Sequence, residues 1–336
     1  KRSSFAMHSF LRSMFPPLTH SAHKGQAGKV GIVGGSIFYT GGADLASIVC
    51  VREAAIPIKS FSPELMVFPL LRAGEPSEEI STQIAASVAE VLSRQQSVVI
   101  GPGLSRDGLI LETTTRIILA VRQNNLPLVV DADGLFLIAS LKGAPVQDYP
   151  SAILTPNAME FRRLWCSLYP TEQPPPFDFS IESKDIPKEE SSESQHPRHP
   201  QVLEVNSTSP QPIIDTARLA RRLGGVTIVR KGSVDIITNG TYAICCDIVG
   251  MPRRCGGQGD LTTGFAGIFA IWAARISKSL PISLPWPLLT GYASCFMTRS
   301  CASIAFAKHA RSTLTTDLIA EIGSVCETYF PCRSNV

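Results

Sequence analysis

Residues 255–276 read CGGQGDLTTGFAGIFAIWAARI, and one carboxylate, Asp260, stands there among Gly256, Gly257, Gly259 and Gly264. Glycine has no Cβ to restrict its backbone, so 256–259 can turn with their amides converging. The apolar run behind them predicts a helix over 261–277, whose unpaired first amides and positive dipole end face the same point. Turn and helix together form a cradle suited to an anion, phosphate above all. A carboxylate is a poor neighbour for a resting phosphate. It becomes useful as a base that takes the proton from a hydroxyl attacking that phosphate. The structural alternative is that Asp260 does no more than cap the helix amides.

The rest of the chain supplies the frame for such a cradle. Short β-rich runs alternate with helical ones: KVGIV (29–33), SIVCV (47–51), SVVIG (97–101), PLVVDA (127–132), AILTP (152–156), VTIVRKG (226–232) and VDIITN (234–239) are predicted strands. Predicted helices cover 78–94, 107–124, 157–166, 213–223, 261–277, 287–309 and 315–329. That alternation implies an α/β fold, a mostly parallel sheet covered on both faces. In such sheets ligands sit beyond the carboxyl ends of the strands. GPGL, DADG, TPNAMEF and RKG all lie at those ends.

The 336 residues carry a net charge of +3, too little to imply nucleic acid or an anionic membrane as partner. No apolar run approaches the roughly 20 residues of a spanning helix. Nine cysteines without a CxxC or a Cys/His metal spacing read as free thiols. Residues 1–23 read as a disordered or targeting-like tail, since 1–43 hold no acid and 1–15 mix Arg, Ser and apolar residues. Residues 171–212, rich in Pro, Ser and Glu, read as a disordered surface insertion. What remains, 24–330, suits a single domain.

Other candidate residues follow from local chemistry. Asn157 is a good helix N-cap after Thr155-Pro156, and Glu160 completes a capping-box pattern. Asp131 and Asp133 end a strand at the crevice, where either can help hold Mg2+ through water or serve structure alone. Arg253 and Arg254 stand close enough to the glycine turn to add charge, although Arg254 also reads as a surface residue.

Eight blocks carry a family resemblance: CGGQGD (255–260), GKVGIVGGSIFYTG (28–41), FSPELMVFP (61–69), VIGPGL (99–104), VVDADGL (129–135), LTPNAMEF (154–161), VRKGSVDIITNG (229–240) and RSTLTTDLIAEIG (311–323). Their order and wording resemble the NAD(P)H-hydrate dehydratase family of the ribokinase-like superfamily, in its ATP-using, eukaryotic form. The resemblance covers nearly all of 24–330 outside the insertion. It implies a three-layer α/β/α fold and a lyase that uses ATP to dehydrate (6S)-hydrated NADH and NADPH, a metabolite-repair activity. It implies Asp260 as catalytic base. Gly103, Asn157, Ala158, Met159, Glu160, Phe161, Arg162 and Arg163 would contact the hydrated cofactor together with Asp260. Lys231, Gly232, Ser233, Val234, Asp235, Arg253, Arg254, Cys255, Gly256, Gly257, Gln258 and Gly259 would contact ATP. Mg2+, a homo-oligomer, pairing with an epimerase of the hydrated cofactor, and a mitochondrial or cytoplasmic location are further expectations. Two other readings stay open: a different small-molecule kinase of the superfamily, and a chain that only binds nucleotide.

The second of these draws on one departure from the family. Only Gly34 to Leu45 separate KVGIV from SIVCV, and they hold four glycines and no helical period. A parallel crossover normally needs a dozen or more residues, usually with a helix, and the resembling family has one between the halves of YTG–GADL. The sequence therefore predicts a first strand without its crossover helix and a strained or poorly ordered link over 34–45. It also predicts that Ala46–Val51 are mispaired or open on one face, with stability and activity both reduced.

Overall fold

The computed structural model describes residues 7–16, 20–21, 23–35, 45–176 and 201–331. Its strands are β1 (Lys29–Val33), β2 (Leu45–Val51), β3 (Met66–Leu71), β4 (Ser97–Ile100), β5 (Leu128–Val130), β6 (Ala152–Leu154), β7 (Leu203–Glu204), β8 (Thr227–Arg230), β9 (Asp235–Thr238) and β10 (Tyr242–Cys246). They form one sheet in the order β3-β2-β1-β4-β5-β6-β8-β9-β10-β7. The pairs from β3 to β8 are parallel, while β8-β9-β10-β7 is antiparallel.

Helices cover both faces, because strands such as Val98–Ile100 and Leu128–Val130 are apolar at every position and bury both sides. One face turns Ile32, Ile48, Val99, Val129 and Val229 toward helices α8 (Gln258–Arg275) and α9 (Trp286–His309). The other turns Val33, Val49, Ile100, Val130 and Leu154 toward α3 (Glu78–Leu92), α4 (Gly108–Gln123), α5 (Ala132–Ser140) and α6 (Ala158–Leu168). The remaining helices are α1 (Met7–Met14), α2 (Arg52–Phe61), α7 (Gln211–Arg222), α10 (Thr315–Ala320) and α11 (Ile322–Tyr329). No helix among the described residues is long and apolar enough to cross a membrane. Every described cysteine is free.

Three expectations need correction. First, β2 is neither mispaired nor open. It runs parallel to β1 with Lys29 opposite Leu45 and Val33 opposite Val49, it pairs β3 on its other edge, and Ala46 to Cys50 are buried. Eleven residues lie between the two strands, enough extended chain to return along a five-residue strand at about 3.3 Å per residue. Of the link expected to be strained over 34–45, Gly34, Gly35 and Leu45 are hydrogen-bonded into the sheet edge, while 36–44, with the missing crossover helix, lie outside the described residues.

Second, 1–23 holds a packed element. Met7, Leu11 and Met14, at helical spacing on α1, are buried in the same cluster as α8. Phe15 stacks on Phe330 with centroids 4.2 Å apart, and Arg12 Nε donates to the Tyr329 carbonyl at 3.3 Å. The acid-free composition hid this helix, whose i, i+4, i+7 stripe ties the amino-terminal segment to α11.

Third, the insertion is shorter than 171–212. Glu172 pairs with Arg218 at 3.0 Å, and β7 adds an edge strand to β10. Asn206 Oδ1 closes a turn by accepting from Thr208 N at 2.9 Å. The stretch 177–200 lies outside the described residues.

Besides α1 and β7, two strands and two helices escaped the sequence reading. β3 contains Pro69, tolerated because β3 is the sheet's edge. α2 contains Pro57, which obscures its period. α5 is a short, almost wholly apolar helix, and β10 is the return strand of a hairpin with β9. The predicted helix over 315–329 is two helices, α10 and α11.

Two outcomes are expected. Replacing 177–200 by a short Gly/Ser linker should leave Tm unchanged or raise it by no more than about 2–4 °C, since loop closure depends weakly on length; a fall beyond about 5 °C in a thermal melt would contradict the boundary. Leu11→Ala should cost about 2–5 kcal/mol and lower Tm by roughly 4 °C or more. A wild-type melt for that variant would return 1–23 to the status of a tail.

Candidate active site

The loops after β1, β4 and β5 join backbone to backbone. Gly34 N donates to Val49 O at 2.9 Å, Gly35 N to Pro102 O at 2.9 Å, Gly101 N to Val33 O at 3.1 Å and Asp131 N to Ile100 O at 3.1 Å. Gly101 has φ 124°, and a Cβ there would strike the Asp131 carbonyl. Gly103, with φ 64°, packs against the Gly35 backbone. These approaches fix the floor of the crevice, with Gly103 against Gly35.

That turn opens α8 three residues earlier than the sequence predicts. Gly257 is the N-cap, at φ 86°, and Asp260 lies in the first turn. A glycine N-cap carries no side chain with which to cap. Two threonines brace the element. Thr315 Oγ1 donates to the Gly256 carbonyl, and Cys255 Sγ lies 3.2 Å from the same hydroxyl. Thr263, one turn into α8, donates to the Gly259 carbonyl at 3.0 Å and to Asp131 Oδ2 at 2.6 Å.

Asp131 is the hinge of the site. Its other oxygen, Oδ1, accepts from Lys231 Nζ at 2.9 Å, and its side chain is 3% exposed. Burial alone would lower the Lys231 pKa; the charges of Asp131 and Glu160, with Asp260 behind them, outweigh burial and raise it. Burial also pushes the Glu160 carboxyl upward, against the pull of Lys231. One ammonium thus faces three carboxylates. Among the described residues no three metal-ligating side chains gather into a ready-made metal site. The surplus negative charge around Lys231 nevertheless suits a divalent cation arriving with phosphates, since Mg2+ usually takes one or two carboxylates and keeps its waters.

The NAMEF segment forms the capping box read from its sequence. Asn157 Oδ1 accepts from Glu160 N at 3.0 Å, and Glu160 Oε2 accepts from Asn157 N at 2.8 Å. The box places Asn157 and Ala158 at one wall of a cleft of about 970 Å³, whose other walls include Lys231, Ser233, Asp247, Arg254, Gln258 and Thr262. Met159 is exposed beside it. Phe161 is not: it is 2% exposed, beneath the buried Arg230 guanidinium at 4.1 Å, and so supports the wall from behind.

Other expected residues divide similarly. Arg253 lines the cleft but donates through Nη1 to the Arg311 carbonyl at 2.5 Å. Val234 is buried in a small cluster with Ile213 and Ile236, away from the cleft. Asp235 has its carboxylate committed: it accepts from Gly232 N at 3.0 Å and from Arg299 Nε and Nη2 at 2.6 and 2.8 Å. Arg299 also donates to the Gly232 and Ile248 carbonyls at 2.8 and 3.0 Å. One guanidinium therefore holds both the 231–235 turn and the segment that leaves β10. Asp133 turns the other way, accepting from Ser105 N and Arg106 Nε at 3.1 and 2.9 Å, which removes it from the metal-holding candidates.

The sequence reading missed Arg299, Thr263 and Thr315. Arg299 did leave a signal: a lone arginine inside the otherwise apolar helix α9 must find a buried partner. Asp235→Ala leaves that guanidinium buried without its carboxylate, so it should cost about 3–5 kcal/mol in denaturant unfolding. A loss under about 1 kcal/mol would mean that the pair does not anchor the turn.

The comparisons agree with this geometry. A profile described as NAD(P)H-hydrate dehydratase matches residues 28–174 and 204–324, leaving out the stretch that contains 177–200. A curated ATP-dependent (S)-NAD(P)H-hydrate dehydratase of Ciona intestinalis is 41% identical over 326 residues, covering 94% of this chain and 78% of the relative. The protein of that name from Rattus norvegicus is 38% identical, covering 95% and 84%. Among solved structures, an ADP/ATP-dependent NAD(P)H-hydrate dehydratase from Bacillus subtilis, co-crystallised with ATP/Mg2+, superposes with a TM-score of 0.60 at 16% identity, covering 96% of this chain and 97% of that one. A ribokinase-like superfamily protein from Enterococcus faecalis gives 0.62 at 18% identity, covering 98% and 99%. The profile match and the curated relatives place the sequence, and the structural neighbours show the fold as ribokinase-like: this chain belongs to the NAD(P)H-hydrate dehydratase family.

Proposed function

We propose that the site removes water from hydrated NADH and NADPH at the expense of ATP, as the names of the curated relatives state for those proteins. The observation that carries the reading is the position of Asp260, in the first turn of α8 directly behind the glycine turn, with Lys231 facing it and a cleft beside it. Gln258 and Gly259, with Arg254 opposite, offer amides and charge to the ATP phosphates. Asn157, in the wall of the same cleft, and Gly103 are the residues proposed to meet the hydrated ring.

Asp260 accepts the proton of the ring hydroxyl as that oxygen takes the γ-phosphoryl group, releasing ADP. Hydroxide is a poor leaving group near neutral pH and phosphate a good one. The ring nitrogen's lone pair expels phosphate as the C–O bond breaks, and loss of a proton from the neighbouring carbon restores the double bond. ATP and hydrated cofactor become ADP, phosphate and the reduced cofactor. Lys231 balances negative charge as it builds between Asp260 and the phosphoryl group, and Asp131 with Thr263 keeps Lys231 in place. Mg2+, held through water by Glu160 and by the ATP phosphates, would neutralise phosphate charge. A base fixed on one face of the ring uses one epimer, so pairing with an epimerase belongs to the same proposal.

Supplying hydrated NADH and Mg-ATP to this chain should restore the absorbance of the reduced nicotinamide; a stable phosphorylated product without that recovery would favour a simple kinase. Asp260→Asn should lower kcat by about 10²–10⁴ while leaving the ATP KM within about threefold. A rate above about a tenth of wild type, equivalent to some 1.4 kcal/mol of barrier, would remove Asp260 from the role of base.

A further inference from the structure

The peptide between Gly256 and Gly257 is the loosest point of the glycine turn. Neither residue has a Cβ, so the peptide plane can turn over at little steric cost. Packing does not hold it: a Cβ built on Gly256 would meet no atom within 4 Å. The direction of this plane nevertheless decides what the turn can bind. Gly257 is the N-cap of α8, at φ 86°, so its N–H belongs to the donors that a helix start leaves for another partner. Cys255, Gln258 and Gly259, on either side of that peptide, line the ATP cleft, and among the described residues none of α10 does.

One side chain from α10 sets the plane. Thr315 Oγ1 donates to the Gly256 carbonyl, and Cys255 Sγ lies 3.2 Å from the same hydroxyl. In a trans peptide the C=O and the N–H that follows it point in opposite directions. Anchoring the Gly256 carbonyl on Thr315 therefore turns the Gly257 N–H away from α10. Thr315 is itself fixed. It is 5% exposed, and Leu314 N, just before it, donates to Asp317 Oδ2 at 2.7 Å. The segment that delivers it is strained: Ala310, the C-cap of α9, has φ 47° and ψ −125°, a turn conformation that favours glycine. Such backbone persists only where its surroundings over-determine it. Here Thr313 Oγ1 donates back to the Ala310 carbonyl at 2.7 Å, and Arg253 Nη1 donates to the Arg311 carbonyl at 2.5 Å. Arg253 and Thr315 thus tie residues 310–315 to the glycine turn at both ends.

We propose that Thr315 is a positioning residue for phosphoryl transfer: by holding the Gly256 carbonyl it keeps the Gly257 amide aimed at the γ-phosphoryl group of ATP. The proposal rests on the dehydratase reading above and names what keeps the phosphate cradle of that reading formed. Asp260 stands three residues past Gly257, in the first turn of the same helix, so amide and base serve one phosphoryl group. An amide aimed in advance needs no reorganisation as charge builds on the phosphoryl oxygens.

The test uses the full chain, with Mg-ATP and Mg-ADP as probes in equilibrium dialysis and hydrated NADH for turnover. Thr315→Val keeps the shape of the side chain and removes the hydroxyl; Thr315→Ala is the second variant, should valine disturb folding, and Thr315→Ser keeps the hydroxyl. In Thr315→Val the Kd for ATP should rise by about tenfold while that for ADP stays within about twofold, because only ATP carries the γ-phosphate. Its kcat should fall by about tenfold or more, toward the 10²–10³ that loss of one preorganised donor typically costs. Thr315→Ser should return both values to within about threefold of wild type. Valine and alanine variants with ATP Kd and kcat within twofold of wild type would overturn the proposal. So would an equal rise in Kd for ATP and ADP accompanied by a fall in Tm, the pattern of a merely structural contact, or a serine variant as impaired as the valine one. Wild-type protein that fails to turn over hydrated NADH, while the valine variant still loses ATP and not ADP, would keep the role of Thr315 and remove the dehydratase reading.

Discussion

The contact on which the site depends is the buried pair Asp131–Lys231, 2.9 Å apart, with Thr263 completing the carboxylate's bonds. It joins three elements that sequence alone leaves far apart: the exit of β5, the exit of β8 and the first turns of α8. A buried ion pair seldom adds net stability, because both ions must be desolvated. Its effect here is positional. The Asp131 carboxylate fixes the ammonium that faces Asp260, and through Thr263 it fixes the helix that carries Asp260. Arg299 performs the same service one layer out, holding the 231–235 turn and Ile248 to α9. The proposed phosphoryl transfer would therefore take place on a frame held by two largely buried cations.

The sheet makes that frame possible even where its connection is short. β1 runs between β2 and β4 with every partner in register; just past its end Gly34 N donates to Val49 O of β2, and Gly101 N, just past β4, donates to Val33 O of β1 itself. Two cores, one on each face, then load the sheet evenly. α1 and α11 close the face that α8 and α9 cover, with the Phe15 ring in contact with Phe269, Trp272 and Phe330. The strand order reverses between β1 and β4, which is where α/β sheets leave a crevice at their carboxyl edge.

Much of this was legible in the sequence, for physical reasons. Strands buried on both faces are apolar over most of their length, so β1, β4, β5, β6 and β8 announced themselves. Asn157 and Glu160 could be paired from their spacing, because a capping box is local. Asp260 stood out through its glycines. What stayed hidden depends on long-range placement. Nothing local distinguishes Asp133, which turns to Arg106, from Asp131, which turns to Lys231. Nothing local says that Phe161 and Val234, inside motif blocks, face inward while Ser233 and Met159 face out. The α1 stripe of Met7, Leu11 and Met14 was masked by a composition that resembles a targeting segment. β3 was masked by a proline that only an edge position allows.

The central claim is that the ring hydroxyl leaves as phosphate after Asp260 has helped transfer a phosphoryl group to it. Preparing the hydrated cofactor with an ¹⁸O-labelled ring hydroxyl and following the label by mass spectrometry through one round of ATP-driven turnover tests this directly. The account predicts one ¹⁸O atom in each inorganic phosphate released. Label recovered in water, with unlabelled phosphate, would show that the C–O bond breaks without phosphorylation and would contradict it.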